Sequence, residues 1–293
     1  MSRSRDFSWI ACAYVVAFGV AVGVAFYAQD FSTQPLVLSA IADVAATFVI
    51  FAFSCAFRNS SFYDAYWSVA PPLLVGYWLI AYGVLDIRLI LIFVLVLLWA
   101  IRLTHNWARG WRGLAHEDWR YIDLKAKTGV AYPLVDLLGI QLLPTALVFV
   151  GCVPVWLVIV NSQTPGAQLY TSDLIWILVG YGALYLEYRA DNILRRFRLD
   201  LANHGKVLRE DVWGWCRHPN YLGELGFWLA LGIAGYQLSG SPWAWGGIFA
   251  MVVLFIGISV PMIDKRQLAN KPDYAEYKKS VWAFLPLPPK SNE

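Results

Sequence analysis

Long apolar runs recur along the whole of this chain, and they restrict what it can fold into more than any other feature. A helix needs about 20 mostly apolar residues to cross a bilayer. Eight stretches have that character: 8–28, 36–57, 69–85, 87–105, 133–160, 172–190, 221–237 and 243–263. Inside lipid every backbone N–H and C=O must be bonded within its own element, so such runs read as helices. They predict an all-α, polytopic membrane helical bundle of about eight transmembrane helices. Only 15% of the 293 residues are charged, against about 25% in soluble domains. The 15 Trp and 16 Tyr suit the aromatic belts found where lipid meets water. The first run exceeds the apolar core of about 7–15 residues in a secretory signal, and no A-x-A-like site follows it, so it reads as an anchor.

The basic residues divide between the connections unevenly. Arg3 and Arg5 precede the first run and Arg58 follows the second. Arg102, Arg109, Arg112, Arg120, Lys125 and Lys127 lie around the link between the fourth and fifth. Seven more fall within 189–221 and six between Lys265 and Lys290. Only Arg88 falls on the other side, and the links 29–35, 161–171 and 238–242 contain none. By the positive-inside rule this predicts both termini in the cytoplasm, which requires an even number of crossings. The chain reads as one integral membrane domain over 1–293, multi-pass, in a bacterial inner membrane or the endoplasmic reticulum. No internal repeat is visible, which weakens a transporter built on inverted repeats.

Four scattered cysteines without a C-x-x-C predict small buried hydrophobes, with no metal site and no disulfide framework. Asn59-Ser60-Ser61 matches a glycosylation acceptor but falls on the predicted cytoplasmic side, so it reads as chance. The net charge of +3 is small and follows the membrane sidedness. The expected partners are therefore the lipid bilayer and a hydrophobic small molecule, with no nucleic acid and no obligate protein partner.

Polar chemistry gathers in three predicted cytoplasmic pieces: "RLTHNWARGWRGLAHEDWRYIDLK" (102–125), "EYRADNILRRFR" through "KVLREDVWGWCRHPNY" (187–221), and "DKRQLANKPDYAEYKKSVWAFLP" (264–286). At the end of the sixth run, Glu187, Asp191, Arg195 and Arg198 fall at i, i+4, i+8 and i+11, on one helical face. They make either a salt-bridge ladder or a polar stripe towards a cavity. Ionisable groups at membrane depth favour the second. Segment 189–221 carries seven basic residues against Asp191, Asp200, Glu210 and Asp211, a surplus suited to phosphates, which the arginine fork binds bidentately. Pro219 fits the first turn of a helix with His218 as its N-cap, so Arg217 and His218 stand at the positive end of a helix dipole. Asn220 and Glu224 share a face one turn further on, and Trp213 and Tyr221 offer flat surfaces for a ring. Asp264 stands where the last run leaves the membrane, Tyr274 and Tyr277 are i, i+3 partners, and Lys278 and Lys279 are expected to address lipid headgroups. Asp43 and Asp136, inside or beside apolar runs, read as helix–helix hydrogen-bonding groups or as functional acids.

"RHPNYLGE" (Arg217–Glu224), preceded by "ILRRFR" (Ile193–Arg198) and followed by "DYAEYKKSVWAFLP" (Asp273–Pro286), resembles the C-terminal domain of the steroid 5-alpha-reductase and sterol reductase superfamily. "FRNSSFYDAYWSVAP" (Phe57–Pro71) and "RLTHNWARGWRGLAHEDWRY" (Arg102–Tyr121) are similar to its bacterial-type, largely uncharacterised branch. The likeness covers 99–286 and 57–71. It implies NADPH held at the cytosolic ends of the last spans. Carried over by position, it implies that Arg198 meets a phosphate, Trp213 packs on the cofactor, Asn220 and Tyr221 are the cofactor pair, and Asp191, Asp264 and Tyr277 are further contacts. The sterol reductases place a Lys where this chain has Leu194, which shifts a phosphate contact to Arg195.

On this reading the expected reaction is NADPH-dependent reduction of a carbon–carbon double bond in a steroid-like or isoprenoid lipid. Its proton donor is a Tyr or a buried carboxylic acid: Glu187 and Glu224 by depth, Tyr132 and Tyr185 by chemistry. "RHPxYxG" also marks membrane methyltransferases acting on isoprenylcysteine or phospholipids, which bind S-adenosylmethionine. A sterol-binding protein without chemistry is a third class.

Overall fold

The computed structural model describes residues 3–162 and 169–284. Part of the link 161–171, Leu285–Pro286 and Lys290 lie outside the described residues. Among the described residues the elements are helical, and the one β-type contact is an isolated parallel bridge between Cys216 and Trp282. Six of the eight apolar runs lie wholly within helix; 69–85 runs past the end of its helix at Tyr82, and 172–190 starts one residue before its helix at Asp173. Five helical stretches are long and apolar enough to cross a membrane: Arg3–Ala28, Pro35–Phe57, Ile87–Gly110, Trp119–Asn161 and Pro242–Asn270. The third, sixth and seventh expected spans form helices outside that set. The protein is thus helical with the character of a multi-pass membrane protein. The chain divides into two compact units, Met1–Ala167 and Gln168–Glu293.

The first unit contains α1 (Arg3–Ala28), α2 (Pro35–Phe57), α3 (Tyr66–Tyr82), α4 (Ile87–Gly110), α5 (Trp119–Thr128) and α6 (Tyr132–Val135). A π-helical stretch, Asp136–Leu142, then runs into α7 (Leu143–Asn161). Local chemistry sets several starts. Pro35 occupies the first turn of α2, where a missing N–H is no loss. Asp86 caps α4 by accepting from the Leu89 N–H at 2.8 Å. Helix α1 packs on α2, and α3 packs on α4 and α7. Ile10, Ala13, Ala17, Ile50, Phe62 and Tyr63 form part of the core.

Two of the polar stretches singled out in the sequence dock onto each other here. Asn59 Nδ2 donates to the carbonyls of Leu114 (2.8 Å) and His116 (3.2 Å). The Ser60 N–H donates to Glu117 Oε1 at 2.8 Å, and Tyr121 donates to Asp64 at 2.7 Å. The glycosylation-like asparagine is therefore a buried amide fastening two loops, in keeping with its reading as chance. Asp6 Oδ2 accepts from the Leu114 N–H at 3.0 Å. The chain turns there at Gly113, with φ +96°, and a Cβ on that residue would lie 2.6 Å from the same carboxylate oxygen. Only glycine meets both demands.

The second unit contains α8 (Asp173–Leu199), α9 (Val212–Trp215), α10 (Pro219–Ser239) and α11 (Gly246–Leu254). A π-helical stretch, Phe255–Ser259, joins α11 to α12 (Val260–Asn270), and α13 (Tyr274–Ser280) follows. Helices α8 and α10 meet at backbone distance. A Cβ built on Gly223 would lie 2.8 Å from Glu187 Cβ and 2.9 Å from the Ala183 carbonyl oxygen, and one on Gly226 would lie 2.8 Å from Ala183 Cβ. Small residues let membrane helices approach this closely, and van der Waals attraction between the two backbones then drives the pairing. Trp213 ties the connection between these helices to α8 by donating from Nε1 to the Ala190 carbonyl at 3.1 Å.

Candidate functional site

The site lies in the second unit, where the ends of α8 and α12, the start of α10 and helix α13 carry its side chains. His218 holds the N-cap position of α10 and Pro219 the first turn, as the sequence predicts. The His218 side chain does not cap the helix. Its Nε2 lies 3.2 Å from Asp264 Oδ1, because a buried carboxylate is a stronger partner than a backbone N–H. Tyr274 donates to the same oxygen at 2.5 Å. On the other oxygen, Arg217 Nη1 and Lys278 Nζ each lie at 3.0 Å. Asp264 therefore gathers four partners from two other parts of the chain, the start of α10 and helix α13. Arg217, His218 and Asp264 are each less than 9% exposed. Lys278, expected at lipid headgroups, is drawn back by this carboxylate.

One polar group in the cluster stays open. Arg217 Nε is buried without a hydrogen-bond partner, and the next polar side chain, Asn220, is half-buried. A buried donor left unmade costs about 1–3 kcal/mol, so an acceptor arriving here is well met. Aromatic rings wall the cluster. Tyr221 stacks on His218 (5.8 Å between centroids) and on Phe255 (4.6 Å). Tyr277 packs against Tyr274 at 5.8 Å and donates to the Trp213 carbonyl at 2.5 Å. Burial raises the phenol pKa of both Tyr274 and Tyr277, and the Asp264 carboxylate adds to this at Tyr274. The tail is strapped on by its backbone, with the Arg217 N–H donating to the Trp282 carbonyl at 2.8 Å and that of His218 to Ala283 at 3.2 Å.

Along α8 the predicted polar stripe runs from inside to outside. Glu187 (3% exposed) and Asp191 (8%) are buried, Arg195 is half-buried, and Arg198 is exposed. Arg198 opens onto a cavity of about 370 Å³ lined by Phe197, Arg198, Asn203, His204, Gly205, Lys206, Arg266, Gln267, Asn270 and Lys271. Four of these are permanent cations and none is a carboxylate. Burial, and behind it the Arg198 guanidinium, push the Lys271 ammonium below its ordinary pKa. On α12, Asp264 and Gln267 fall at i and i+3, so one face carries both the buried cluster and the cavity wall, and Lys271 follows just past the end of the helix. The donor set fits an anion with several phosphate oxygens.

The four candidate proton donors are placed differently. Glu187 and Glu224 are both 3% exposed. Glu187 stands at the contact of α8 with α10, and Glu224 Oε1 accepts from Trp228 Nε1 at 2.8 Å. Tyr185 is 62% exposed, with its hydroxyl 3.5 Å from Arg189 Nη1, and it is not drawn into the cluster. Tyr132 belongs to the first unit, where its hydroxyl lies 2.7 Å from Ser60 Oγ. Lys206, Arg266 and Lys271 are the cavity cations missing from the sequence-based set of site residues.

One family model matches this chain over residues 50–281, a range that includes the candidate site residues from Tyr132 to Tyr277 but not Asp43; its description is "Protein of unknown function (DUF1295)". The chain belongs to the DUF1295 family. The match takes in both the 57–71 and 102–121 stretches and the Arg217–Glu224 motif. A similar curated protein is "Uncharacterized protein C594.04c" of Schizosaccharomyces pombe, 25% identical over 280 residues that cover 87% of this chain and 81% of the yeast protein. No solved structure matches.

Proposed function

We propose that this DUF1295 protein is a membrane-embedded, NADPH-dependent reductase of a carbon–carbon double bond in a hydrophobic, steroid-like or isoprenoid lipid. The reading takes the resemblance to the steroid 5-alpha-reductase and sterol reductase superfamily together with eight crossings and cytoplasmic termini. The observation that carries it is the cavity at the end of α8, with Arg198, Lys206, Arg266 and Lys271 and no carboxylate in its lining. Those four residues would hold the phosphates. The open Arg217 Nε would meet a further acceptor, and Trp213, Tyr221 and Tyr277 would form apolar walls. NADPH, when bound, supplies the hydride. Glu187 and Glu224, each 3% exposed, are the carboxyl groups that would supply the proton away from water. S-adenosylmethionine has no phosphate and carries a positive sulfonium, so a polycationic cavity disfavours it, and with it the methyltransferase reading.

Purified protein in detergent should bind NADPH in a fluorescence titration and show no comparable binding of S-adenosylmethionine. Arg198→Ala and Lys271→Ala should each weaken NADPH by about 10- to 100-fold, since a hydrogen bond to a charged group contributes about 1.5–3 kcal/mol. If Arg198 meets the 2′-phosphate, its loss should weaken NADPH more than NADH. Selective binding of S-adenosylmethionine would overturn the reductase reading. Binding of neither would favour a sterol-binding protein without chemistry.

A further inference from the structure

We propose that Tyr132, Ser60 and Asp136 of the first unit form a proton-transfer chain that loads the buried Asp136 carboxylate from the rim of that unit. Ser60 Oγ lies 2.7 Å from the Tyr132 hydroxyl and donates to Asp136 Oδ2 at 2.8 Å. All three residues are less than 10% exposed. Serine suits the middle place because its hydroxyl donates and accepts together and rotates to exchange the roles.

The inner end is held by the π-helical stretch. In an α-helix residues five apart point about 140° away from each other, but here Gln141 Nε2 reaches back to donate to Asp136 Oδ1 at 3.0 Å. This donor fixes one carboxylate oxygen and turns the other towards Ser60. Gln141 Oε1 is itself buried without a hydrogen-bond partner, so the network ends beside an open acceptor rather than closing on itself. Insertions of this kind in helices gather at functional sites, and polar groups at membrane depth mark proton paths and substrate contacts.

The outer end meets charge and solvent. Lys125 Nζ stands 5.0 Å above the Tyr132 ring centroid and lies 2.6 Å from Glu117 Oε2. The Lys125 and Glu117 side chains are 33% and 12% exposed. Cys55 on α2 and Tyr121 on α5 are further titratable neighbours of this network.

The step balances without any other reactant than a solvent proton. The Ser60 O–H bond breaks as Asp136 Oδ2 gains the proton. The Tyr132 O–H bond breaks as Ser60 is restored. The Tyr132 oxygen takes a proton from water as it gives up its own, so no free phenolate is left. The transfer itself is independent of the reductase reading.

Time-resolved infrared spectroscopy on the full chain in detergent, after a jump to lower pH, tests the chain directly. A protonated carboxyl band should rise in the native protein and be missing in Asp136→Asn. Tyr132→Phe and Ser60→Ala should slow its rise by roughly a hundredfold, the lower end of what a positioned proton-transfer group contributes. Ser60→Thr, which keeps the hydroxyl, should restore the rate. If Ser60→Ala does not fold, Tyr132→Phe and Ser60→Thr still decide the matter. An unchanged rate in Tyr132→Phe, or no band that depends on Asp136, would overturn the proposal. A normal set of infrared rates in a protein that does not bind NADPH would sink the reductase reading and leave the chain standing.

Discussion

Asp264→Ala should destabilise the protein by about 3–5 kcal/mol, the range seen when one partner is removed from a buried ion pair. The carboxylate accepts on one oxygen from Tyr274 and meets His218, and on the other it meets Arg217 and Lys278. Without it, Arg217 keeps its charge at 8% exposure and loses the acceptor of Nη1. The Arg217 backbone stays anchored by its N–H bond to the Trp282 carbonyl at 2.8 Å, so the guanidinium starts from this buried position. Tyr274 loses its partner in the same step, so α13 should loosen along with the cluster. A thermal melt followed by helical circular dichroism reads the first effect, and limited proteolysis near 273–280 reads the second. Lys278→Ala is the control. Its side chain is 43% exposed, and half-exposed pairs contribute about 1 kcal/mol or less. Should Asp264→Ala melt with the native protein and resist protease equally, the cluster would not be what holds the tail.

This cluster also shows where local sequence reasoning stops. The helices were legible because lipid leaves a chain of long apolar runs few alternatives to helix. The start of α10 was legible too, since Pro219 and its preceding residue carry a local signature. The destination of the His218 side chain was not, because Asp264 lies 46 positions away and no local spacing encodes that pairing. Lys278 fails for the same reason. The cavity was half legible. The stripe on α8 led to Arg198, and counting i and i+3 from Asp264 would have led to Gln267 on its other wall, with Lys271 just past the helix end. The polar network in the first unit was hidden more deeply. Asp136 and Gln141 are five apart, a spacing that a 3.6-residue period assigns to different faces, and only the π-helical stretch brings them together.

Gly223→Ala and Gly182→Ala should move stability in opposite directions, although both put one methyl group into the same pair of helices. On Gly182 of α8 the new Cβ meets nothing within 4 Å. Replacing glycine in a helix interior by alanine then stabilises by about 0.5–1 kcal/mol, because the unfolded chain has less freedom to lose. On Gly223 of α10 the new Cβ would sit 2.9 Å from the Ala183 carbonyl oxygen and 3.1 Å from the Glu187 backbone nitrogen. Those atoms belong to the backbone of α8 and cannot turn aside, so α8 and α10 must separate. Overpacking of this kind costs about 1–3 kcal/mol, enough to outweigh the gain in helix propensity. The separation falls at Glu187, one turn before Asp191, so Gly223→Ala should also disturb the polar stripe that leads to Arg198, and Gly182→Ala should leave it alone. Melting temperatures of the two variants in detergent, with NADPH titrations beside them, read both effects. Equal shifts of the same sign would mean that the two helices do not meet at backbone distance, and the polar stripe would lose the support that holds it in line.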